Sequence, residues 1–150
     1  MITTENSSAI EKLTKQFFLP MIPPTVTAQQ KGETIRCGKI HHYEKPEVTA
    51  VREKFKANLA KHIPERPFEG AVRLVTQWIY PITANHTDGE YKTTKPDTDN
   101  ALKLFKDVMT DLKFWKDDAQ VASEITEKFY GNVTGIFVKV EEITDDENTT

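Results

Sequence analysis

Between Ala71 and Tyr80 the chain alternates without a break. Val72, Leu74, Thr76, Trp78 and Tyr80 fall on one side, and Arg73, Val75, Gln77 and Ile79 on the other. A period of two is that of an extended strand, whose successive side chains leave opposite faces. Pro81 closes it. One face of this strand is large and apolar and has to be covered by another layer. Two flanking stretches offer that cover. From Val48 to Ile63, Val48, Val51, Phe55, Leu59 and His62 or Ile63 recur at spacings of three and four, until Pro64 and Pro67 end the run. From Asp97 to Leu112, Leu102, Phe105, Met109 and Leu112 form a second stripe, widened by Ala101 and Val108. Both spacings predict amphipathic helices.

Shorter signals fill in the remainder. Phe17 to Ile22 reads as a strand, with Pro20, Pro23 and Pro24 confining it to an edge or forcing an early exit. Residues 25–46 are polar, contain Gly32 and Gly38, and read as a long loop of the kind that carries function. Residues 83–95 form a second polar loop. Val121 to Tyr130 and Val133 to Glu142 read as strands, with Gly131-Asn132 as a hairpin turn. The order is βαβαββ: an α+β, two-layer domain with a mixed sheet packed against two helices. A chain of 150 residues suits one such domain. It is expected over 15–143, between a flexible leader at 1–14 and an acidic, disordered tail at 144–150. There is no internal repeat.

Charge and composition narrow the setting. Cys37 is the only cysteine, so no internal disulfide can form, and a reducing cytoplasm is the simplest expectation. No apolar run approaches the roughly 20 residues of a membrane helix, and Met1 to Lys15 lacks the apolar core of a secretory signal. The net charge of −3 argues weakly against nucleic acid as a partner. Its distribution argues the other way. Residues 141–150 hold five acids and no base, while residues 31–66 hold nine bases against five acids, with His41, His42 and His62 in addition. Local positive charge is what attracts phosphate. An ordinary solvated helix face beside a basic loop explains the segment equally well.

The chemistry concentrates around the second helix. Lys95-Pro96-Asp97-Thr98-Asp99-Asn100 opens it, and Phe114-Trp115-Lys116-Asp117-Asp118-Ala119-Gln120-Val121 follows it. If the chain folds back, carboxylates from the two ends converge. Converging carboxylates suit Mg²⁺, a hard cation that takes oxygen ligands, keeps several waters and needs few protein groups. An ion so held can activate water and offset charge on a phosphate. Lys103 follows Asp99 by four positions, placed to meet a scissile phosphate or simply to pair with Asp99. Each aspartate alone has a structural explanation: Asp97 or Asp99 as a helix cap, Asp117 and Asp118 as turn residues. Asp97-x-Asp99 also opens like a calcium loop, but Ala101 and Leu102 replace the ligand and glycine at its fifth and sixth positions. Elsewhere, His86 is a loop histidine or a general base, and Tyr43 a loop residue or a stacking platform. Phe114 and Trp115 pack at the helix end, or act as a wedge in DNA.

These two motifs, with Lys103 and Asp107 between them, closely resemble the RusA family of Holliday-junction resolvases. The resemblance is sharpest over 95–131 and extends more weakly to Leu19-Pro20-Met21-Ile22-Pro23-Pro24. It implies a small homodimeric endonuclease, of a kind often carried by phages and prophages in DNA recombination and repair. Such an enzyme binds branched, four-way DNA and nicks two opposed strands symmetrically. The reaction depends on Mg²⁺, with Mn²⁺ as a substitute, and on no organic cofactor. Carried over position by position, Asp97, Asp99 and Asp118 match the family's essential acids and hold the metal, and Lys103 matches its essential lysine. Asp117 ranks as a weaker match, and Asn100 and Asp107 as supporting residues. The leader at 1–14 and the loop at 25–46 have no clear counterpart. Three other readings stay open, the first two being a catalytically inactive junction-binding module and a nuclease for flaps and forks. A small structural protein without DNA affinity is the third.

Overall fold

The computed structural model describes residues 11–25, 31–36 and 38–145; for 31–36 and 40–42 only the backbone is described. The alternating stretch is β4 (Val72–Pro81), and it lies inside a four-stranded mixed sheet. The order across that sheet is β1 (Thr14–Pro20), β6 (Gly135–Glu142), β4, β5 (Val121–Gly131). β6 runs antiparallel to both neighbours, and β5 runs parallel to β4. α1 (Pro46–Leu59) and α2 (Thr98–Asp111) supply the covering layer. The α+β, two-layer reading holds.

The core forms where the three periodicities meet. Phe55 of α1, Phe105 of α2 and Trp78 of β4 are fully buried and pack edge-on, with ring centroids 5.0 to 6.0 Å apart. Edge-on contact sets the positive rim of one ring against the negative face of the next. Trp78 Nε1 donates to Thr76 Oγ1 at 2.9 Å, so these two buried polar atoms satisfy each other, while the buried Tyr80 hydroxyl on the same strand face has no hydrogen-bond partner among the described residues. Pro46 at the first turn of α1 presets the helical φ. A short 3-10 turn, Ala60–His62, takes up the end of the expected helix before Pro64.

Two expectations about connections need correction. Residues 25–46 are not one long loop. β2 (Lys31–Arg36) and β3 (Lys39–Glu44) pair antiparallel as a separate two-stranded sheet, turning at Gly38 with φ of 76°. The element order therefore gains a hairpin ahead of α1. Gly131-Asn132 is not a hairpin turn either, because β5 and β6 are not neighbours: β4 lies between them. Parallel β4 and β5 need a crossover, and α2 provides it. The chain then steps past the end of β4 to enter β6. Here the glycines serve close approach. A Cβ on Gly131 would sit 2.5 Å from Ile79 Cγ2, and one on Gly135 would run into the Phe18 ring and the Leu19 carbonyl. Gly135→Ala should therefore destabilise the protein by about 1–3 kcal/mol, the usual range for overpacking. Urea denaturation checks this.

The sheet ends are tied by Glu142, which is only 8% exposed. Its carboxylate accepts from Arg66 Nη1 at 2.7 Å and Nη2 at 3.1 Å, from the Leu13 amide at 2.8 Å and from the Glu69 amide at 2.7 Å. The Arg66 guanidinium above all holds this carboxyl down at about 2, against an ordinary 4.5. Of the leader expected over 1–14, residues 1–10 lie outside the described residues, as do residues 146–150 of the expected acidic tail and Cys37. Among the described residues no helix is long and apolar enough to cross a membrane.

Candidate active site

α2 divides its residues sharply. Ala101, Leu102, Leu104, Phe105, Val108 and Met109 are buried. Asp99, Lys103 and Asp107 follow at intervals of four on the other side, one above the next. Asp97 occupies the N-cap position with extended backbone, yet its side chain makes no capping bond. The cap reading of this carboxylate therefore finds no support in the geometry. Lys103 likewise forms no ion pair among the described residues, with Asp99 or any other acid.

Asp118 arrives by a fold-back whose parts are visible. α2 ends at Asp111, and Lys113 takes a φ of 69° to turn the chain. Phe114 and Trp115, both fully buried, anchor the return, so neither is available as a wedge in DNA. Trp115 Nε1 donates to Thr110 Oγ1 at 2.7 Å, and the Phe68 amide donates to the Phe114 carbonyl at 2.7 Å. A capping box then fixes a short 3-10 turn, Asp118–Gln120. Asp117 Oδ1 accepts from the Ala119 amide at 2.9 Å, while Gln120 Oε1 accepts from the Asp117 amide at 3.1 Å. Gln120 Nε2 also donates to the carbonyls of Phe68 and Gly70, each at 3.0 Å. Asp117 is thus spent on the turn, and Asp118 is left exposed beside α2.

The result is a shallow cavity of about 400 Å³ lined by Asp99, Asn100, Leu102, Lys103, Lys106, Asp107, Asp118 and Glu124. Lys106 Nζ and Glu124 Oε2 close one side of it at 2.8 Å. A second cavity of about 310 Å³ is lined by Arg52, Thr110 and Asp111 and shares Asp107 and Asp118 with the first. Burial pushes the Asp107 carboxyl up; Arg52 and Lys103 pull it down, while Asp118 and Asp111 add to the rise. Arg52 also pairs with Glu44 at 2.8 Å, which anchors the exit of the β2–β3 hairpin beside this wall.

Three of the four expected site residues, Asp99, Lys103 and Asp118, therefore share one cavity. Asp97 does not line it. It stands at the mouth of α2 on the side of Lys128, which feels its charge. Asp107, expected only to support, lines both cavities; the four-residue interval from Asp99 through Lys103 was the available signal. Among the described residues no three His, Cys, Asp or Glu side chains stand close enough to hold an ion between them as placed. The donors lining the cavity still suit a hard cation. They are carboxylates and an amide, with no sulfur or imidazole, and Mg²⁺ commonly takes only one or two carboxylates and keeps its water. His86 is not part of this wall. It pairs with Glu90 at 2.5 Å and stacks on Tyr130 at 4.1 Å. Tyr43 is 48% exposed on β3, and the side chains of His41 and His42 lie outside the described residues.

The sequence matches the family described as Endodeoxyribonuclease RusA over residues 22–141. It is 30% identical over 130 residues to the crossover junction endodeoxyribonuclease rusA of Lactococcus phage r1t, a match covering 85% of this chain and 96% of that protein. It is 27% identical over 131 residues to Uncharacterized protein YqaN of Bacillus subtilis (strain 168), covering 80% of this chain and 91% of that one. The family match runs to the last residue but one of β6, and so takes in α2, the fold-back after it and every residue of the cavity. A match of that extent makes this chain a member of the RusA family, an endodeoxyribonuclease.

Proposed function

We propose that the chain is a Mg²⁺-dependent, structure-selective endonuclease that resolves four-way DNA junctions by paired, symmetric nicks. The observation that carries this reading is the shared cavity of Asp99, Lys103 and Asp118. Asp99 and Asp118 would hold the ion, with Asp97 approaching from the helix mouth; Mn²⁺ fits the same oxygen donors. The ion, when bound, supplies an activated water near neutral pH and neutralises charge building on the phosphate. The protein's own work is to hold those carboxylates on rigid elements. Lys103 projects from the same helix face, where its ammonium would meet a non-bridging phosphate oxygen and offset the charge that grows in the transition state.

Two opposed nicks call for two copies of the site, which a homodimer with a two-fold axis provides. The basic segment 31–66, which includes the β2–β3 hairpin, supplies the phosphate attraction that the net charge does not. The reaction belongs to DNA recombination and repair in the cytoplasm, and it needs no organic cofactor. The test is cleavage of a labelled four-way junction, a flap and a plain duplex, each in Mg²⁺ and in EDTA. Junction cleavage at least tenfold faster than flap or duplex cleavage, and lost in EDTA, is expected. Equal or faster cutting of the flap would transfer the reading to flaps and forks, and junction binding without any nicking would leave a binding module.

A further inference from the structure

Asp97 is not carried by the body of α2. It sits on the segment before it, so whatever fixes that segment decides where the carboxylate points. Lys128 does so from β5. Its Nζ donates to the Thr94 carbonyl at 2.6 Å and to the Pro96 carbonyl at 2.7 Å. Lys128 lies opposite Trp78 in the register of β4 and β5, and its side chain therefore leaves the sheet on the helix-covered face. The Lys128 carbonyl accepts from the Lys92 amide at 2.9 Å, and Lys92 Nζ donates to Thr94 Oγ1 at 2.7 Å. The loop is thus gripped by the backbone and side chain of Lys128 and braced internally by Lys92. From there the Asp97 carbonyl accepts from the Ala101 amide at 2.9 Å and begins the helix.

A lysine is a poor choice here on stability grounds alone. A cation at a helix N-terminus opposes the macrodipole. Burial lowers the Lys128 pKa first, Lys92 lowers it further, and Asp97 acts against both. A half-buried ammonium in such a place makes sense when it serves an anion. We propose that Lys128 is a positioning residue: by tying the carbonyls on either side of Lys95, it holds Asp97 at the mouth of α2 for the metal ion. The inference rests on the reading of Asp97 as an ion ligand, and it assigns Lys128 no contact with DNA.

The experiment compares Lys128→Met, Lys128→Arg and Asp97→Asn with the unaltered chain. Three quantities are read: Mn²⁺ binding without DNA by calorimetry, the Mg²⁺ concentration that half-saturates junction cleavage, and junction binding in EDTA. Outer partners of metal ligands commonly change ion affinity by about 10–100-fold. Lys128→Met is therefore expected to weaken Mn²⁺ binding and raise the half-saturating Mg²⁺ by about tenfold or more. Its rate at saturating Mg²⁺ should be largely kept and its junction binding unchanged, and Lys128→Arg should recover most of the loss. If Asp97→Asn weakens ion binding and Lys128→Met does not, the proposal alone is overturned. If Asp97→Asn leaves ion binding intact, the ligand reading fails and the proposal with it. Should Lys128→Met unfold at the assay temperature, Lys128→Gln, which keeps one donor group without the charge, is read by the same criteria.

Discussion

Asp99→Asn is expected to reduce junction cleavage by on the order of a thousandfold, equivalent to about 4 kcal/mol of barrier, while junction binding is kept. Asparagine keeps the shape and loses the charge that would attract the ion. Asp99 is exposed in the first turn of α2 and caps nothing, so little of the fold depends on it. Its favourable interaction with the helix N-terminus is worth only about 0.3–1 kcal/mol. The melting temperature should therefore move by a few degrees at most. Removing a negative charge beside the phosphate path should, if anything, tighten DNA binding, most visibly at low salt. A purely structural aspartate would give the opposite pattern: a shift in melting without loss of turnover. Single-turnover cleavage and gel-shift titration in EDTA separate the two.

The second large effect lies far from the cavity. Glu142 is buried, its folded carboxyl is held at about 2, and its ordinary value is 4.5. A depressed carboxyl contributes stability that is fully present above its unfolded value. That contribution is lost as the pH falls from there through the folded value. The window is thus roughly pH 5 down to 2, and the gap corresponds to about 3 kcal/mol. Glu142→Gln keeps the shape but turns an amide N–H₂ toward donors, leaving the ends of β1 and β6 poorly tied. It should lower stability at neutral pH by about 3 kcal/mol, as breaking a buried pair does. It should also flatten the acid limb, so that the two proteins converge near pH 2. Urea denaturation across pH measures both. Parallel curves for the two proteins would show that Glu142 does not carry this linkage.

How far the sequence could be read follows from which side chains meet the core. β4, α1 and α2 were legible because each commits a regular apolar stripe to one buried cluster. The β2–β3 hairpin was not, since Lys31–Arg36 and Lys39–Glu44 offer no apolar face, and period two without hydrophobic contrast looks like a loop. Gly38 at the turn was its one local signal. The misread hairpin at Gly131-Asn132 has another cause. A turn-like dipeptide reports a local bend, whereas pairing depends on which strand is available, and β4 takes both partners. In the site, Asp99, Lys103 and Asp118 were legible as types at a spacing. The tie from Lys128 to Thr94 and Pro96 was not, because it spans more than 30 residues and follows no period. The shared role of Asp107 depends on Arg52 from another helix, for the same reason.

The most direct measurement is to map nicks on a four-way junction labelled on each strand in turn, with the unaltered chain in Mg²⁺. Nicks in two opposed strands, at positions related by the two-fold symmetry of the junction and absent in EDTA, are the expected result. A junction that is bound but never nicked in Mg²⁺ or Mn²⁺ would contradict it, leaving a family fold without the chemistry assigned to Asp99, Lys103 and Asp118.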